Sequence, residues 1–292
     1  MPTRRAMIAA SVVSVVAPRL ARAADTPAPW TDQGDVRVSA GIMHWASMGA
    51  GEPLVLMPKL GGWIADWRHV APIFAQKYRV IAIDSPGHGG SVMNGPPPYL
   101  QSLPESAAMV LATLDALGVS RCAMMGNSLG GCIEVVTAGL WPSLCTKLIL
   151  LSVALGGVTS LAQLAEGDKQ AARDYDAEGR PLPRPDADLV KRFGVSDPAI
   201  NDEQNRSRAK AGVWVRPSER GVGHAGLTDY LPRITAPTLL MYGEKGGYKQ
   251  FEAVGKAGLK NVRSVLVPGG SSFAHQDQPV ATARMAMEFL AA

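Results

Sequence analysis

Short, unbroken apolar runs alternate along this chain with stretches of helical spacing. Leu54-Val55-Leu56-Met57, ended by Pro58, reads as a strand buried on both faces, as do Arg79–Ile83, Cys122–Met125, Lys147–Leu151, Thr238–Tyr242 and Ser264–Val267. Val36–Val38 and Ile42–Ser47 read as a first hairpin. Between the runs, Asp66–Gln76 sets Trp67, Val70 and Phe74 on one helical face. Glu105–Leu117 follows Pro104 and is closed by Gly118, the expected asymmetry of helix ends. Leu129–Leu140, Phe251–Ala257 and Val280–Leu290 complete the helices. Strands alternating with helices predict a parallel sheet covered on both sides. The rhythm breaks between about residues 154 and 230, a charge-rich stretch containing Arg180-Pro181-Leu182-Pro183-Arg184-Pro185 and no clear strand. It reads as a cap inserted over the sheet's ligand edge.

The first residues change this picture. Arg4-Arg5 precedes an apolar run, Ala6–Ala17, too short to span a bilayer, and Ala21-Arg22-Ala23 supplies a small-x-small cleavage pattern. Residues 1–24 are therefore expected to be a signal peptide and residues 25–34 a linker, with residues 35–292 the folded domain. The expected location is periplasmic or secreted. Thr3-Arg4-Arg5-Ala6-Met7-Ile8 resembles a loose twin-arginine signal, which would export a folded protein. Four of the 29 basic residues and none of the 25 acidic ones fall in residues 1–24, so the remainder carries 25 of each. The basic balance thus belongs to the leader, and charge offers no argument for a nucleic-acid partner. No later run is long enough for a membrane span. Cys122, Cys132 and Cys145 are too few and scattered for a disulfide framework, and no His/Cys spacing suggests a metal.

The candidate chemistry centres on Gly126-Asn127-Ser128-Leu129-Gly130, set between an expected strand and an expected helix. A serine on such a sharp turn presents its hydroxyl above the sheet, and the flanking glycines let strand and helix approach closely. The helix N-terminus beneath offers free N–H groups to a developing oxyanion. Ser128 is the candidate nucleophile. A turn joining strand to helix with no chemistry is the bland alternative.

With Asp84-Ser85-Pro86-Gly87-His88-Gly89-Gly90-Ser91, this elbow and the lead-in from Asp229 to Thr238, the chain resembles the α/β-hydrolase family over nearly all of residues 35–291. The elbow is similar to those of its esterase and carbon–carbon-bond hydrolase branches. The resemblance implies an α/β fold with a mostly parallel central sheet flanked by helices and an inserted cap. It implies hydrolysis of a small ester or related acyl compound, with no cofactor and a small molecule as partner.

Three positions depart from the family's pattern. Where the family carries His-Gly after its third strand, this chain has Pro58-Lys59 followed by Leu60. The Leu60 amide can still join that of Leu129 in an oxyanion hole. Lys59 is either a surface lysine or a contact for a carboxylate substrate, and Trp63 falls near the expected pocket mouth. Glycine, Gly246, stands where the family's acid belongs; Glu244, two residues earlier, is a candidate substitute. In Pro268-Gly269-Gly270-Ser271-Ser272-Phe273-Ala274-His275, Ser272 falls on the base position, and His275 would reach Ser128 only through a shift of three residues. The candidate set is Ser128, His275 and Glu244 for catalysis, Leu60 and Leu129 for the oxyanion, and Lys59 and Trp63 for substrate. A binding protein or non-hydrolytic enzyme that kept the elbow and lost the relay is the rival reading.

Overall fold

The apolar runs become strands because each has a hydrophobic layer on both sides. In β3 (Glu52–Met57), Val55 and Met57 face one core and Leu54 and Leu56 the other. The same alternation holds in β4 (Tyr78–Ile83), β6 (Cys122–Asn127), β7 (Cys145–Leu151) and β8 (Thr238–Gly243). The computed structural model describes residues 29–292. The leader expected over residues 1–24, and the start of the linker, lie outside the described residues.

With β1 (Asp32–Val38), β2 (Gly41–Met48), β5 (Val92–Met93) and β9 (Val262–Val267), the strands form one sheet in the order β1-β2-β4-β3-β6-β7-β8-β9, β5 adding to β2. The pairs from β4 through β9 are parallel; β1–β2 and β2–β4 are antiparallel. One face is covered by α2 (Leu103–Ala116), α3 (Leu129–Leu140) and α8 (Glu252–Gly258), the other by α1 (Ala71–Phe74) and α10 (Pro279–Ala291). Ser102 caps α2, its hydroxyl accepting from the Glu105 amide.

Two expectations shift. The first hairpin starts at Asp32, inside the expected linker. The helix expected over residues 66–76 is a 3-10 turn, Ile64–Trp67, followed by the single turn of α1. Pro72 lacks the N–H that would continue the ladder back to Arg68, so the helix breaks there. Trp67, Val70 and Phe74 are nevertheless all buried, as the spacing predicts. Between β7 and β8 the chain forms α4 (Leu161–Ala171), α5 (Asp186–Phe193), α6 (Pro198–Ala211) and α7 (Val215–His224). Its only strand-like contact among the described residues is an isolated bridge, Tyr175 to Pro181.

Candidate active site

At the carboxyl end of β6 the chain turns within one residue into α3, and Ser128 makes the turn with φ 50° and ψ −113°. A side chain rarely adopts this backbone; such outliers cost of order 1–3 kcal/mol and gather at functional sites. The turn is forced from both sides. A Cβ on Gly126 would stand 2.3 Å from the Gly131 nitrogen, and one on Gly130 would stand 2.2 Å from the Met57 oxygen. Strand and helix are therefore closer than any other residue permits. Asn127 Nδ2 donates to the Leu151 oxygen at 2.9 Å and to the Ser272 oxygen at 3.1 Å, tying the elbow to β7 and to the loop after β9.

The Gly130 amide donates to the Pro58 oxygen at 3.1 Å, which holds the loop after β3 against the start of α3. This brings Leu60 to the elbow. Among the described residues, neither the Leu60 nor the Leu129 amide donates to another backbone oxygen, so both donors are free for an oxyanion.

Ser128, Lys59 and Leu60 line one cavity of about 180 Å³, whose walls include Arg184, Arg192, Arg208 and Glu219 from the helical segment, with Cys132, Tyr248 and Phe273. The charges in it are unevenly neutralised. Lys59 is buried and spends its ammonium on Asp66 at 2.5 Å, lying over the Phe273 ring at 4.8 Å. Arg192 approaches Asp174 at 3.6 Å, and Glu219 is held by Arg216 at 2.6 Å and by the Tyr175 hydroxyl at 3.0 Å. Among the described residues, Arg184 and Arg208 have no carboxylate partner, and the buried Nη2 of Arg208 has no partner at all. Burial and the neighbouring Arg184 push the Arg208 guanidinium down to about 10, so it stays charged at neutral pH. Its stem passes Gly61, a residue at φ 68° where a Cβ would lie 2.4 Å from Arg208 Cγ. Burial pushes the Cys132 thiol up to about 12, which rules it out as a nucleophile near neutral pH.

His275 is not part of this cavity. The short helix α9 (Ala274–Asp277) starts just after Phe273, and successive helical residues turn by about 100°. Phe273 therefore points into the cavity while His275 points the opposite way, onto Trp67 with ring centroids 4.4 Å apart. Its two ring nitrogens are buried without partners, and burial, with Lys59 and Arg68 nearby, holds it neutral, well below the usual histidine range. Glu244 is exposed and does not line the cavity; its carboxylate braces a turn by accepting from the Gly269 amide at 2.7 Å. Trp63 also stays out of the cavity and donates through Nε1 to Glu203 at 3.0 Å.

The positions that carry acid and base in the family's pattern still face each other. A Cβ on Gly246 would stand 2.7 Å from the Ser272 hydroxyl, which is buried and unpartnered. The frame for a relay is kept and its side chains are gone. The sequence reading missed Arg184, Arg192, Arg208, Glu219, Phe273 and Tyr248. The charge of residues 154–230 was the visible signal for the arginines; which of them face inward depends on the packing of α5, α6 and α7.

The family model described as alpha/beta hydrolase fold matches residues 52–248. A dihydrolipoyllysine-residue acetyltransferase component of an acetoin cleaving system from Pseudomonas putida is 35% identical over 46% of this chain and only 36% of its own length. A 2-hydroxy-6-oxononadienedioate/2-hydroxy-6-oxononatrienedioate hydrolase from Cupriavidus pinatubonensis is 28% identical over 85% of this chain and 90% of its own. Among solved structures, a thermophilic esterase from Thermogutta terrifontis superposes with a TM-score of 0.76 at 18% identity, covering 89% of this chain and 98% of that one. With an intact elbow, the sheet order described above and a family match over most of its length, the chain belongs to the α/β-hydrolase fold family.

Proposed function

We propose that the protein is a hydrolase that uses Ser128 as nucleophile on a small acyl compound bearing a carboxylate. The observation that carries this reading is the strained Ser128 turn, which presents the hydroxyl to a cavity holding two arginines without carboxylate partners. Strain of this kind persists only when the surroundings impose it, and here a helix, a strand and two flanking glycines impose it. Ser128 attacks the acyl carbon, and the Leu60 and Leu129 amides receive the negative oxygen. Arg208 and Arg184 hold the substrate's carboxylate through charge-assisted hydrogen bonds. The relatives include hydrolases whose named substrate is a dicarboxylate, in keeping with this chemistry. Export through the N-terminal segment belongs to the same proposal, tested by fractionating cells that express the full chain.

A second reading, a carboxylate-binding protein that kept the elbow, draws on the absence of any histidine from the cavity walls. Loss of a triad's base costs several orders of magnitude in rate, leaving the oxyanion hole and binding. A fluorophosphonate probe separates the two readings. Stoichiometric labelling that disappears in Ser128→Ala supports the hydrolase; a wild-type protein that is not labelled between about pH 6 and 11 supports the binder.

A further inference from the structure

We propose that the Tyr248 phenol is the proton relay of Ser128, in the role that an imidazole fills elsewhere in the fold; this rests on the hydrolase reading above. Tyr248 and Ser128 line the same cavity, and the Ser128 hydroxyl is close enough to the Tyr248 phenol to pull its pKa down. Tyr248 stands on a 3-10 turn, Gly247–Phe251, directly after Gly246, the position vacated by the acid. Its ring packs against Phe251, centroids 6.3 Å apart. The loop that would orient a base therefore supplies a proton carrier of its own.

The other groups in reach are committed. Lys59 is bound to Asp66, Glu219 to Arg216 and Tyr175, and the Cys132 thiol is held protonated by burial. The remaining imidazoles are also engaged or distant. His44 contacts Asp35, His88 the Pro86 oxygen and His224 the Thr159 oxygen, and neither these three nor His69 lines the cavity.

A phenol suits a neutral relay. Burial raises the Tyr248 phenol above its ordinary value of 10, against a smaller opposing pull from the Ser128 hydroxyl, so it rests as the neutral acid. As Ser128 Oγ bonds to the acyl carbon, its proton passes to the Tyr248 oxygen while the phenolic proton passes to the leaving oxygen. The acyl–oxygen bond breaks, an alcohol departs, and Tyr248 ends neutral. In the second half, water adds to the acyl-serine, gives its proton to Tyr248, and the phenolic proton returns to Ser128 Oγ as the carboxylic acid leaves. No step requires a charged tyrosine, and none consumes an oxidant or a metal. General acid–base transfer of this kind contributes about 100- to 10,000-fold.

The test measures the rate of fluorophosphonate labelling and the acylation burst with p-nitrophenyl acetate, in wild type, Tyr248→Phe and His275→Phe, from about pH 6 to 11. Tyr248→Phe keeps the ring and its packing, and a melting temperature unchanged from wild type establishes that the site is intact. The expected result is labelling slowed about 100-fold or more in Tyr248→Phe, unchanged in His275→Phe, and a wild-type rate that holds through neutral pH and falls at the alkaline end as the phenol loses the proton it must pass on, while the Phe variant stays flat. Wild-type labelling at Ser128 with an equal rate in Tyr248→Phe overturns the relay and leaves the hydrolase reading standing. No wild-type labelling at any pH overturns both.

Discussion

The backbone strain at Ser128 can be weighed directly, because it resides in one residue. Ser128→Gly lets the elbow keep φ 50° and ψ −113° without a Cβ, whereas Ser128→Ala removes the same hydroxyl and keeps the Cβ. A non-glycine residue in so sparse a region costs about 1–3 kcal/mol, all of which glycine releases. Against this, glycine widens the unfolded ensemble by about 0.4–1 kcal/mol. The balance favours Ser128→Gly over Ser128→Ala by about 1–2 kcal/mol. For a domain of this size each kcal/mol moves the melting temperature by about 2–4 °C, so the glycine variant should melt roughly 2–8 °C above the alanine variant. Differential scanning calorimetry of the two variants side by side reads the difference, and the missing hydroxyl cancels between them. A glycine variant that melts no higher than the alanine variant would show that the elbow is relaxed, and would remove the chief physical reason for reading it as a functional site.

Three further outcomes are expected. Arg208→Met removes the guanidinium whose Nη2 has no partner, so protection of Ser128 from fluorophosphonate by benzoate should weaken about 10-fold or more, while methyl benzoate is unaffected; equal protection in both proteins counts against the carboxylate clamp. His275 is held neutral in the fold well below its ordinary 6.5, so its stability contribution is present above that value and lost as pH falls. Urea melts of wild type between about pH 7 and 5.5 should lose about 1.4 kcal/mol that His275→Phe retains. Glu134 is fully buried with both carboxylate oxygens unpartnered, and burial raises it well above 4.5. Stability is therefore complete below its unfolded value and lost as pH rises, and Glu134→Gln should gain up to about 3 kcal/mol near pH 7 and nothing near pH 4.

The sequence determined the sheet and the elbow. Strands covered on both faces must be apolar at every position, so β3, β4, β6, β7 and β8 announce themselves as unbroken runs, and α3 matches the expected Leu129–Leu140. The elbow is equally local, since glycine at 126 and 130 is demanded by contacts between adjoining elements. The vacancies at Gly246 and Ser272 were also legible, because they are departures at fixed distances from local landmarks. Tertiary structure alone decided which side chains face Ser128. His275 is two residues from Phe273 in sequence and on the opposite side of a helical turn, so one reaches the cavity and the other the Trp67 face. Arg208 and Tyr248 come to the serine from segments 80 and 120 residues away in the chain. Their direction is set by how α6 and the turn after β8 pack over the sheet, which depends on contacts between distant elements and leaves no periodic mark in the sequence.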